Sequence, residues 1–311
     1  MNTPSNAIAE SPLASPVGAP VALSATRPLY WSLRREMWEN RSVYIAPLIV
    51  AAVVLFGLVI AAIRLAPGAP RFSTMDPARQ SDLLAAAYGA AAIPITLTVL
   101  IVGVFYCLGA LHNERRDRSI LFWKSLPVSD LVTVLSKASI PLVVLPLVSF
   151  AIIVATRLIM LLLGTAVLLV DGQSAAALWA RSPWLQMSLI PLYGATVLAL
   201  WHAPIYGWLL LVSGWARRAP FLWAFLPPLA LCVFEKIAFN TSYFASMLGY
   251  RVSGSDAAAF AVNAPGKDII YRLAQLDPVK FLESPDLWIG LAVAAAFLAA
   301  AVWQRRYRQP L

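Results

Sequence analysis

Apolar positions gather in six long runs separated by polar stretches. The runs cover about Tyr44–Leu65, Ala87–Leu111, Ile140–Val170, Ser188–Val212, Phe221–Phe239 and Leu287–Trp303. A hydrocarbon layer about 30 Å thick is crossed by roughly 20 apolar residues in a helix. The pattern therefore predicts an all-α integral membrane protein of about six transmembrane helices. The third run exceeds one untilted crossing. It reads either as a long tilted helix or as a crossing followed by a re-entrant piece.

Before the first run the pattern changes character. In YWSLRREMWENR, together with the Leu29 that precedes it, Leu29, Tyr30, Trp31, Leu33, Met37 and Trp38 spread over one half of a helical wheel. Ser32, Arg35, Glu36 and Glu39 fill the other half. An apolar and aromatic face opposite a charged one, just ahead of a span, predicts a helix over 29–41 lying in the membrane interface. A helical extension of the first span is the alternative. Residues 1–28 are rich in Ala, Ser and Pro, lack a basic start and an apolar stretch of signal-peptide length, and read as a disordered tail. Residues 29–311 form one membrane domain.

Composition agrees with the pattern. Of 311 residues 60% are hydrophobic and only 13% charged, against about 25% charged in soluble domains. The net charge of +9 would suggest nucleic acid in a soluble chain. Here the basic residues flank apolar runs, so they read as topology signals and contacts with anionic headgroups, with no nucleic-acid partner. Arg27, Arg34, Arg35, Arg41, Arg115, Arg116, Arg118, Lys124, Lys137, Arg217, Arg218, Arg305, Arg306 and Arg308 fall on one side. By the positive-inside rule that side is cytoplasmic, with both termini inside. The opposite side carries a long loop over about 240–286 of mixed charge, whose apolar part around Tyr243, Phe244 and Met247 is a candidate re-entrant piece.

Few ionisable groups lie within the runs. Arg157, His202 and Glu235 are candidates for a substrate path or for pairing inside the membrane; an Arg157–Glu235 pair would be structural. Two histidines, ninety positions apart, give no zinc-site spacing. Cys107 and Cys232 sit in apolar runs and read as packing residues. A phosphate-binding loop is missing: Gly266-Lys267 is followed by Asp268, where Ser or Thr is required.

The segment richest in chemistry is the loop over 112–137, HNERRDRSILFWKSLPVSDLVTVLSK. Glu114, Arg115, Arg116, Asp117 and Arg118 form a charge cluster. Ile120, Leu121, Phe122, Trp123 and Leu126 follow as an apolar patch, closed by Pro127. Ser129 is placed to cap the next helix, one-sidedly, because Val132 stands where a capping box wants Glu or Gln. An apolar, aromatic patch rimmed by charge marks an interaction surface. The same face could instead lie on the membrane as an anchor.

This loop, from Glu114-Arg115-Arg116-Asp117 through Ser119-Ile120-Leu121-Phe122-Trp123 to Leu126-Pro127-Val128-Ser129, resembles the cytoplasmic loop of ABC-2 type transporter permeases. The stretch LWHAPIYGWLLLVSGWARRAPFLWAFLPPL from Leu200 to Leu229 and the early Trp38-Glu39-Asn40-Arg41-Ser42 resemble bacterial members of that family. The resemblance implies the permease subunit of an ATP-driven exporter in the bacterial inner membrane. It implies pairing with a second permease copy or paralogue, and docking on a separate ABC ATPase subunit. ATP and magnesium would then bind the ATPase, with no cofactor on this chain and no enzymatic activity of its own. The patch around Ile120–Leu126 would be a coupling helix, and Glu114, Arg115, Asp117, Arg118, Ile120, Leu121, Phe122, Trp123, Leu126 and Pro127 the ATPase-coupling residues. A membrane scaffold or sensor docked to an ATPase would share this loop. An intramembrane enzyme and a secondary transporter find less support, for want of a catalytic pattern and of internal repeats.

Overall fold

A computed structural model describes residues 26–65, 74–119, 128–180, 182, 184–260 and 275–307. All regular structure among them is helical, apart from one isolated bridge between Phe260 and Leu276. Among the described residues six helices are long and apolar enough to cross a membrane, which supports a multi-pass membrane protein.

The helices are α1 (Thr26–Glu39), α2 (Ser42–Leu65), α3 (Pro77–Ala110), α4 (His112–Arg116), α5 (Asp130–Ser139), α6 (Leu145–Val170), α7 (Ala176–Ala180), α8 (Trp184–Trp215), α9 (Pro220–Phe239), α10 (Tyr243–Ser253), α11 (Ser255–Ala259), α12 (Pro278–Glu283) and α13 (Pro285–Tyr307). Local chemistry sets several starts. The Asp76 carboxylate accepts from the Ala78 amide at 3.1 Å, with Pro77 in the first helical position of α3. Ser129 Oγ accepts from the Val132 amide at 3.2 Å and begins α5, the one-sided cap that the sequence predicts. Ala219 and Asn240 bound α9 with left-handed backbones, φ +47° and +49°.

The overlong third run resolves into one continuous rod of 41 residues from Asp130 to Val170, about 60 Å at ~1.5 Å per residue. Of the two sequence readings, the rod matches the single long helix. Asp130–Ser139 precede the apolar run, which itself continues through Val170 without a break. A π-helical turn at Ile140–Val144 joins α5 to α6, with the Leu145 amide donating back to Ile140. Pro141 and Pro146 have no amide hydrogen for the ordinary ladder, and the wider turn absorbs that interruption.

Helix α8 is the hub. Within its apolar window 61% of the residues are buried, against 11% in α2 and 6% in α9. It packs on α13, α6 and α3. Val99, Tyr106, Cys107, Leu108, Ile140, Leu145, Leu209 and Leu210 fill the main core. The apolar flanks of α2 and α9 face outward, as expected of helices that meet lipid. Helices α1 and α4, the start of α5 and the end of α13 share one end of the bundle, here called the base. Helices α10, α11 and α12 cover the opposite end around a second core of Val197, Trp201, Ala258, Ala259, Phe260, Phe281 and Leu287.

Candidate functional site

The base holds the densest charge in the described molecule, and much of it is buried. Glu114, in the short helix α4, receives three cations. Arg35 Nη2 donates to Oε1 at 3.1 Å, Lys137 Nζ lies 3.0 Å from the same oxygen, and Arg305 Nη1 reaches Oε2 at 2.6 Å. Glu36 stands beside it, 1% exposed. Its Oε1 accepts from Lys137 Nζ at 2.7 Å and from Arg35 at 3.0 Å, and its Oε2 accepts from the Tyr106 hydroxyl at 2.8 Å. Arg305 Nε also donates to Asp130 at 3.0 Å, and Arg35 Nε lies 3.3 Å from Glu39.

One network thus ties α1, α3, α4, α5 and α13 together. An isolated buried carboxylate is costly, whereas one with several hydrogen-bonded cations can stay charged. Removing a single partner from such a set leaves an uncompensated charge and costs about 3–5 kcal/mol. At the rim, burial raises the Glu39 carboxyl above its ordinary range, an effect that the Arg35 guanidinium only partly offsets.

A second set of bonds fixes α4 to the end of α8. The fully buried Ser213 hydroxyl accepts from the Leu111 and His112 amides at 3.0 and 2.9 Å and donates to the Leu108 carbonyl at 2.9 Å. These are the groups left unpaired where α3 ends and α4 begins. His112 Nδ1 meets the Ala216 carbonyl at 3.2 Å, and Arg115 Nη1 donates to the Gly214 carbonyl.

The residues expected to couple to an ATPase therefore divide. Glu114 and Arg115 are buried and bind the bundle itself. Asp117 and Arg118 are exposed at the mouth of the loop; Asp117 pairs with Arg116 at 3.1 Å, and Arg118 has a left-handed backbone, φ +55°. Ile120, Leu121, Phe122, Trp123, Leu126 and Pro127 lie outside the described residues, as do 1–25. The tail boundary shifts, because α1 already begins at Thr26.

Glu36, Tyr106, Asp130, Lys137, Ser213 and Arg305 do not stand out as site residues in the sequence. The wheel of α1 separates an aromatic half from a charged half, and the charged half suits water as well as protein, so it does not single out Glu36. In the structure Tyr30, Trp31 and Trp38 point outward, with Arg34 stacked on both tryptophans at 5.4 and 4.8 Å, and Glu36 points in.

The three intramembrane candidates do not converge. Arg157 is buried in α6 near Tyr88. Glu235 does not pair with it. Its carboxylate instead caps α10, accepting from Thr241 Oγ1 at 2.8 Å and from the Tyr243 and Phe244 amides at 2.7 and 2.8 Å. The Asn240 turn folds the chain back so that those amides reach Glu235, which places the residue at the distal end rather than along a path. His202 faces two carbonyls, Leu198 at 2.9 Å and Val252 at 3.2 Å, and links α8 to α10.

Beside it Arg251 closes the distal cover. Its guanidinium stacks on the buried Trp201 at 4.7 Å and donates to the Asp286 carbonyl at 2.9 Å. Gly290 leaves the space that this side chain occupies. Burial pulls the Arg251 guanidinium below its ordinary value, and the nearby Asp286 carboxylate opposes that shift. Among the described residues no group of three or more His, Cys, Asp or Glu side chains is arranged to hold a metal. No protein-family model, characterised protein or solved structure matches the chain.

Proposed function

We propose that the chain is the membrane subunit of an ATP-driven exporter, an ABC-2 type permease in the bacterial inner membrane that docks on a separate ATPase through its first basal loop. The observation that carries this reading is the buried network around Glu36 and Glu114. It lies where the loop leaves α4 and where the loop re-enters α5. Whatever grips 120–127 pulls on a rigid block joined to α1, α3, α5 and α13. Force or displacement at the loop then reaches the spans together rather than bending one helix.

The aromatic, charge-rimmed sequence of the loop and its resemblance to ABC-2 permeases support the same reading. The base is then cytoplasmic, consistent with the Lys and Arg bias. A second permease copy would complete the path, with lipid around the apolar flanks of the bundle. Transport without chemistry on this chain needs only two arrangements of the bundle and a partner that binds them unequally.

The test begins with affinity purification of the full chain from its native membrane. A phosphate-loop ATPase should accompany it, and Phe122→Ala with Trp123→Ala should abolish that association. Purification without any such ATPase, or unchanged association and ATP hydrolysis in the double variant, overturns the docking assignment. A stable complex that hydrolyses ATP but moves no solute would identify a docked scaffold or sensor instead.

A further inference from the structure

A second basal feature takes no part in the charge network. Between α4 and the turn joining α8 to α9 opens a pocket of about 590 Å³, lined by His112, Arg116, Arg217, Arg218 and Ala219. Arg116, Arg217 and Arg218 are exposed, and among the described residues Arg217 and Arg218 have no hydrogen-bond or ion-pair partner. Asp117 pairs with Arg116 at 3.1 Å.

The walls are fixed. His112 is 8% exposed, with Nδ1 held on the Ala216 carbonyl. Trp208 Nε1 donates to the Ala224 carbonyl at 3.0 Å and pins the first turns of α9 to α8. Ala219 sits at the N-terminus of α9, a helix of 20 residues whose start carries no side-chain cap. Pro220 has no amide hydrogen and the Leu222 and Trp223 amides meet the Ala219 carbonyl at 3.0 and 3.4 Å, so what the helix start offers an anion is its aligned peptide dipoles.

We propose that this pocket binds the phosphate of an anionic phospholipid headgroup. A helix start and unpaired guanidinium groups together make a phosphate site, because guanidinium forks match phosphate oxygens two at a time. The position selects a lipid over a soluble phosphate. Trp215 and Trp223 pack edge to face at 4.8 Å beside the pocket, both part-exposed, as aromatic residues do at headgroup depth. Phe221, Leu222 and Phe225 of α9 lie outward just beyond it, where acyl chains would run. The site is independent of any ATPase and would survive failure of the transport reading.

The full chain, reconstituted in nanodiscs of phosphatidylcholine with or without phosphatidylglycerol, is transferred to detergent, and retained lipid is identified by native mass spectrometry. Phosphatidylglycerol should be retained preferentially. Arg217→Gln with Arg218→Gln should lower its apparent affinity about thirtyfold, as expected from the loss of two basic residues at an anionic surface. Arg34→Gln with Arg41→Gln, an equal loss of charge at two other exposed arginines, should leave retention unchanged. All the substituted arginines are exposed, so both double variants should melt with the wild type, which a thermal scan verifies. Equal retention of phosphatidylcholine, or wild-type retention by Arg217→Gln with Arg218→Gln, overturns the proposal. Stabilisation by millimolar inorganic phosphate with no lipid retained would overturn the lipid assignment in favour of a soluble phosphate.

Discussion

Glu114 shows how one side chain can hold several helices in register. It pairs with Arg35, Lys137 and Arg305 at once, sharing them with Glu36 and Asp130. Glu114→Gln keeps the shape and removes the charge, leaving the buried cations short of one anion. The expected loss is about 3–5 kcal/mol, read as a lower melting temperature in detergent. Asp117→Asn, at an exposed pair, should stay within about 0.5 kcal/mol of wild type. Ser213→Ala removes the acceptor for two buried amides and should cost about 1–3 kcal/mol for each amide left unpaired, in the same melting experiment. At the distal end, Gly290→Ala puts a methyl group where Arg251 lies. The arginine is displaced, so this variant should match Arg251→Ala in faster proteolytic cleavage within 243–260. Unchanged cleavage would mean that Arg251 is not what holds the cover.

Elements were legible in proportion to how far lipid burial alone dictated them. The six apolar runs correspond to the six long helices, because a span needs little beyond length and hydrophobicity. Ends were less visible. Helix α3 starts at Pro77 and the third rod at Asp130, both well before their apolar runs, because the Asp76 and Ser129 caps set the starts and hydropathy does not register a cap. The charged half of α1 is the clearest case. On a wheel Glu36 looks like a water-facing residue, yet its partners Lys137 and Tyr106 come from positions 101 and 70 residues away. No local pattern encodes such partners. Glu235 likewise resembles a membrane carboxylate until the turn at Asn240 brings the amides of α10 to it. The π turn makes an element-scale prediction. Replacing both Pro141 and Pro146 by Ala restores two amide donors and should allow an ordinary α-helix there. A changed cross-linking register between cysteines placed on α5 and α6 would register that, and an unchanged register would show that packing, not proline, sets the turn.

At the scale of the whole molecule, the two ends differ in kind. The distal end is closed by packing, a cation–π stack and backbone hydrogen bonds. The base is closed by ion pairs around Glu36 and Glu114, whose strength depends on the charge and water near them. A partner that approached the loop could alter the base without touching the distal cover. That asymmetry suits a bundle driven from one end. It rests on the identity of what meets residues 120–127, since the same aromatic patch could lie on the membrane as an anchor. A photo-reactive amino acid at position 122, irradiated in native membranes, separates the two directly. The account predicts a covalent adduct with a phosphate-loop ATPase, weakened by Trp123→Ala. Adducts confined to lipid, with no protein partner, would contradict it.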